Sequence, residues 1–124
     1  MRELTSHKIN GCNDAIRIDV MDEPGPGGAC HEYMLQVFAE DPARTPPPLT
    51  LAFQNGPIKE AGTNGITHEA LLAVLIDRLE GFQAGSFANK YNADALLHLR
   101  LAQDALLKRT RERLARGVEG TLTV

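Results

Sequence analysis

Tryptophan is absent from the 124 residues, and Phe and Tyr together number only six. With so few large rings to share among the core positions, each becomes a candidate for a specific task. Cysteine is almost as scarce. Cys12 and Cys30 are the only two, which suits two small buried side chains in a reducing compartment better than a disulfide framework. The N-terminus lacks the basic, apolar and small-residue order of a signal peptide, so a cytoplasmic setting is expected. No apolar run approaches the length of a membrane span, which predicts a soluble protein without a membrane partner. Metal and catalytic signatures are missing too. Cys12, Cys30 and His31 lack zinc-ligand spacing, and His7, His68 and His98 fall on unrelated segments. No Ser or Cys sits in a nucleophile elbow, and "GPGG" at 25–28 is a turn rather than a phosphate cradle between strand and helix. The expectation is a protein that is not an enzyme and carries no metal or cofactor.

What is present is a local excess of positive charge. The chain carries a formal net charge of −3, yet Lys108, Arg109, Arg111, Arg113 and Arg116 crowd into nine positions near its end. Residues 1–66 hold five Lys/Arg against nine Asp/Glu, and residues 67–124 hold eight against seven. A general polyanion binder has a basic surface throughout. A confined cluster suits a small anion better than a nucleic acid polymer.

The length fits one domain. Its first half reads as three short strands, "DAIRIDVMD" at 14–22, "HEYMLQVFA" at 31–39 and "LTLAFQNGP" at 49–57, the first two joined by a Pro/Gly-rich reversal. Its second half reads as two amphipathic helices. One follows Thr67, an N-cap residue, and ends before Gly85; the other runs through "ANKYNADALLHLRLAQDALLKRTRERLAR" to Gly117. So short a connection makes them antiparallel. The fold class is therefore α+β: a small N-terminal antiparallel sheet in residues 1–60 and a C-terminal antiparallel helical hairpin in residues 66–124, forming a single compact domain. A hairpin cannot bury its apolar stripes alone, which predicts oligomerisation through the helices.

Three positions stand out for binding. Phe82 falls at the bend, where its ring is either the last core residue of the stripe or a platform for a nucleobase. Asn92 lies early in the second helix, where its amide either caps the helix or reads a polar edge. Arg109 shares a face with Arg113 and Arg116, and these cations either complement a helix C-terminus or bind an anion.

The runs "FQNGPIKEAGTNGITHEALLAVLIDRLEGFQAGSFANKYN" and "LLKRTRERLARGVEGT" together resemble the phage Thoeris anti-defence sponge family, whose helical hairpin is shared with anti-CBASS cyclic-oligonucleotide sponges. The strongest pieces are Phe82-Gln83-x-Gly85-x-Phe87-x4-Asn92 and Arg113-x-Ala115-Arg116-Gly117-Val118-Glu119-Gly120-Thr121. The resemblance implies a homo-oligomer, dimer or hexamer, that sequesters glycocyclic ADP-ribose from TIR enzymes in the cytoplasm of an infected bacterial host, without degrading it. Some members also hold cyclic trinucleotides at separate sites. Carried over by residue, Phe82 stacks on adenine, Asn92 hydrogen-bonds the ligand and Arg109 pairs with the diphosphate. Lys90, Arg113, Arg116 and Thr121 are further candidates from the matching segments, and Arg17, Phe53 and Gln54 from the sheet. Where the family often has Arg-Glu before the motif Asn, this chain has Lys90-Tyr91, and where it often has His after Gly-Thr, this chain has Leu122. The competing readings are a helical oligomerisation module that binds nucleic acid through its basic helix end, and a hydrolase of the nucleotide signal.

Overall fold

A computed structural model describes residues 1–123. Their contacts gather into two units, one of Met1–Gly56 with Thr63–Gly65, the other of Pro57–Gly62 with the chain from Ile66 onward.

The first unit is an antiparallel meander, in spatial order β1 (Arg2–Leu4), β2 (Ile16–Val20), β3 (Glu32–Val37) and β4 (Leu49–Ala52). The β-branched run of β2 favours extended backbone, and its register pairs Ile16 with Val37 and Val20 with Tyr33. The sheet thus has one strand more than the sequence pattern indicates. Three residues with a single apolar side chain, Leu4, give no legible alternation, and β1 is recruited by pairing with β2, Arg2 opposite Val20. A one-turn helix α1 (Gly11–Asp14), capped by the Asn10 side chain, connects them.

Between β2 and β3 the chain reverses through a short 3-10 turn at Pro26–Gly28, where Gly27 and Gly28 take positive φ. Asp22 closes this loop by accepting the backbone N–H groups of His31 and Glu32. On β2, Val20 is the most deeply buried apolar residue at 1% exposure. On the opposite face Arg17 forks onto buried Asp19, with Nε 2.9 Å and Nη2 3.1 Å from its two oxygens. Gly65 returns to the sheet so closely that a Cβ there would lie 2.4 Å from the Phe53 carbonyl carbon, so no larger residue fits.

The second unit contains α2 (Ile58–Ala61), α3 (His68–Gln83) and α4 (Lys90–Ala115). Thr67 caps α3 by accepting the Ala70 N–H, as its position before an apolar periodic run predicts. Helices α3 and α4 form the expected hairpin, with Ile76 and Leu96 buried at its centre. Polar links tie them together, among them Arg100 to Glu80 at 2.9 Å and the Gln103 amide to the Glu69 carbonyl at 3.3 Å.

The two helix ends differ in a way glycine alone does not reveal. Helix α4 stops in a left-handed cap, with Gly117 at φ 72° and Val118 N–H returning to the Arg113 carbonyl. Gly85 takes no positive φ, and α3 ends instead through Ala84 in ordinary helical geometry. No helix among the described residues is long and apolar enough to cross a membrane.

Candidate functional site

The bend between α3 and α4 is built by side-chain amides. Gln83, the last residue of α3, pairs with the backbone of Asn89 in both directions: its Nε2 donates to the Asn89 carbonyl at 3.1 Å, and its Oε1 accepts the Asn89 N–H at 3.0 Å. The Asn89 side chain works in two directions as well. Its Nδ2 donates to the Phe87 carbonyl, and its Oδ1 accepts the Asn92 N–H at 2.8 Å, which caps α4. Capping is therefore the work of Asn89, not of Asn92. An Asn cap contributes about 1 kcal/mol, so the bend is held firmly for so short a loop.

Around this clasp sit the scarce rings. Phe82 is half-buried and meets Phe87 edge to face, 6.3 Å between centroids and 87° between planes. The Arg78 guanidinium lies over the Phe82 ring, 5.0 Å from its centroid. Phe87 and Tyr91 are both 72% exposed, and the Lys90 ammonium rests 5.1 Å from the Tyr91 ring centre. Two of the three leading candidates, Phe82 in the last turn of α3 and Asn92 in the first turn of α4, thus stand on either side of one bend, and Lys90 opens α4.

Arg109 is elsewhere. It lies seventeen residues beyond Asn92 on the same helix, about 25 Å at 1.5 Å per residue. Its side chain is exposed and, among the described residues, has no carboxylate partner; the same holds for Lys108 and Arg111.

Arg113 is committed to the chain itself. Only 7% exposed, it donates Nε to Glu119 at 3.1 Å and its Nη groups to the carbonyls of Val118, Thr121 and Thr123. Thr121 belongs to the same knot, its hydroxyl donating to the Val118 carbonyl. Arg116, exposed at the C-cap, also makes an interaction. The tail continues to α2, where the Lys59 N–H donates to the Gly120 carbonyl at 3.1 Å. The guanidinium periodicity of α4 therefore divides by environment: Arg109 points outward, and Arg113 folds the tail onto the helix end. Spacing alone cannot separate the two.

The sheet candidates are engaged within their own unit. Arg17 carries the fork onto Asp19 and lies 3.5 Å from Glu3. The Asp19 hydrogen bond and the two carboxylate charges raise the Arg17 pKa further and keep it protonated. Phe53 packs edge to face on Tyr33 at 5.7 Å, and the Gln54 amide closes its loop through Gly56 and Asn64. The sequence reading assigned no role to Arg78, Gln83 or Asn89. Arg78 was findable in principle, being one turn before Phe82.

Among the described residues no group of three potential ligands could hold a metal ion. The bend offers aromatic rings and side-chain amides, and the far end of α4 offers guanidinium groups without a carboxylate partner among the described residues.

Comparison with known proteins bears on this half of the chain most directly. The profile of the Acb2/Tad1 hairpin domain matches residues 49–118. Thoeris anti-defense 1 of Bacillus phage SBSphiJ7 is 40% identical over 104 residues, covering 84% of this chain and 69% of that protein. The family model spans β4, α2, α3 and the whole of α4, which include the bend and the cationic helix end, and this chain belongs to the Acb2/Tad1 hairpin family.

Proposed function

We propose that this protein is an anti-defence sponge: it binds a cyclic nucleotide immune signal, glycocyclic ADP-ribose in the first place, and withholds it intact from the Thoeris effector. The observation that supports this reading is the clasped bend, which has Phe82 in the last turn of the helix before it and Asn92 in the first turn of the helix after it, within the family's own domain. The name of the phage relative supports the role against Thoeris defence. Under this reading adenine stacks on Phe82, Asn92 meets a polar edge, and Arg109 takes the diphosphate. Lys90, Arg116 and, at other sites of an oligomer, cyclic trinucleotides complete the proposal.

Geometry adds a requirement. A single hairpin cannot bring Arg109 to a small ligand seated at its own bend about 25 Å away. The proposed site is accordingly shared: the bend of one copy and the Arg109 of another, aligned antiparallel in a dimer or a hexamer. The exposed Val74, Leu97 and Leu101 of the hairpin supply apolar surface for that pairing.

The test is to incubate the protein with extract from TIR-activated cells, denature it by heat, and identify what is released by mass. Intact glycocyclic ADP-ribose in stoichiometric amount supports the sponge; a linearised or hydrolysed product replaces it with an enzyme. Arg109→Ala should lower affinity about 10- to 100-fold while leaving the oligomer intact, as expected for a lost charged hydrogen bond. The unpaired Lys108, Arg109 and Arg111 favour one rival, nucleic acid binding by the basic helix end, which would appear as oligonucleotide affinity falling steeply with salt.

A further inference from the structure

We infer that Arg78 is a positioning residue for the Phe82 platform, holding one face of the ring so that a planar nucleobase stacks on the other. This rests on the proposed function and adds a residue that the resemblance does not single out. Arg78 and Phe82 are one helical turn apart on α3, where side chains meet. The guanidinium carbon sits 5.0 Å from the ring centroid, within the range of a cation–π contact. No carboxylate among the described residues pairs with Arg78, so an ion pair does not account for its direction.

Phe87 meets the same ring nearly at right angles, and the Gln83–Asn89 clasp fixes the loop that carries Phe87. The ring is thus braced from two directions before any ligand arrives. A platform ordered in advance loses less rotamer entropy on binding. The consequence is a division of labour: Arg78 acts through Phe82, and the phosphates of the ligand are left to other cations.

Titration calorimetry with glycocyclic ADP-ribose at several salt concentrations tests this on the wild type and three variants, Arg78→Ala, Arg78→Gln and Arg78→Lys. Arg78→Ala and Arg78→Gln should each bind roughly 3- to 10-fold more weakly, and Arg78→Lys, which keeps a cation over the ring, should stay within about 2-fold of wild type. The dependence of log K on log salt should be the same in all four, because Arg78 touches no phosphate. Wild-type affinity in Arg78→Ala overturns the inference alone, as does a shallower salt slope, which would make Arg78 a direct phosphate contact. A wild type that fails to bind overturns the sponge reading and this inference with it.

Discussion

Charges in the two units are handled in opposite ways. In the sheet unit Arg17 reaches Asp19 and Glu3, Lys8 reaches Glu3 at 3.1 Å, and Asp22 accepts two backbone N–H groups with His31 nearby. In the helical unit Arg78, Lys108, Arg109 and Arg111 meet no carboxylate among the described residues, and Phe87 and Tyr91 stand open to solvent. Charges paired internally serve the fold, and their removal shows as lost stability. Charges and rings left uncommitted add little to the fold, and the proposed function gives them a ligand to meet. Within the helical unit Arg100 also pairs with Glu80, on the exposed surface, and Arg113 is the buried exception, since it behaves like a charge of the sheet.

That exception gives the largest expected effect. Arg113→Ala removes the donor for Glu119 and for three tail carbonyls while leaving those acceptors in place, which costs about 3 kcal/mol or more. Thermal unfolding should shift down by roughly 10 °C for a domain of this size. Arg109→Ala, four residues earlier on the same helix, should leave the melting temperature within about 2 °C. Equal shifts for the two variants would break the contrast between committed and uncommitted cations.

Much of the architecture was legible beforehand, and the reasons are local. Thr67 before an apolar stripe, a Pro/Gly-rich reversal between two strand-like runs, and Gly117 after a long helix are signals carried by neighbouring residues. Strand β1 was not legible, because its existence depends on a partner fourteen or more residues away and not on its own pattern. The same distinction governs the candidate site. Phe82 and Asn92 could be picked out as a ring and an amide near a break in the helices. The Gln83–Asn89 clasp could not, because an amide pairing with a backbone six residues on leaves no periodicity. Nor could sequence tell Arg113 from Arg109: what separates them is whether the tail folds back, a tertiary fact.

The clasp supplies a prediction that crosses from stability to binding. Asn89→Ala keeps the backbone pairing with Gln83 but loses the cap on Asn92 N–H and the bond to the Phe87 carbonyl. A cost of about 1 kcal/mol is expected, seen as roughly a 4 °C drop in melting temperature. If the bend positions the ligand groups, affinity for glycocyclic ADP-ribose falls as well, although Asn89 itself is assigned no ligand contact. A variant that loses stability and binds as wild type would separate the bend from the site.

The smallest effect belongs to the sheet unit and to acid. The Asp22 carboxylate is held below the usual range first by the Glu32 N–H, then by the His31 N–H and the charge of the His31 ring. A depressed folded pKa means the stabilisation is present above the unfolded value of about 4 and is lost as pH falls through the folded one. Below that window both states carry the proton and the advantage is gone. Asp22→Asn should therefore lower the melting temperature slightly at pH 7 and lose its deficit against wild type as the buffer is taken from about pH 5 to pH 2.5. Because the carboxylate is reached by solvent, the shift should be a small fraction of that from Arg113→Ala. Nucleotide affinity at pH 7 should not change, since Asp22 acts within the sheet unit's own loop. A matching loss of affinity would mean that the charges of the sheet unit do not serve the fold alone, and the contrast between the two units would then have to be redrawn around the ligand.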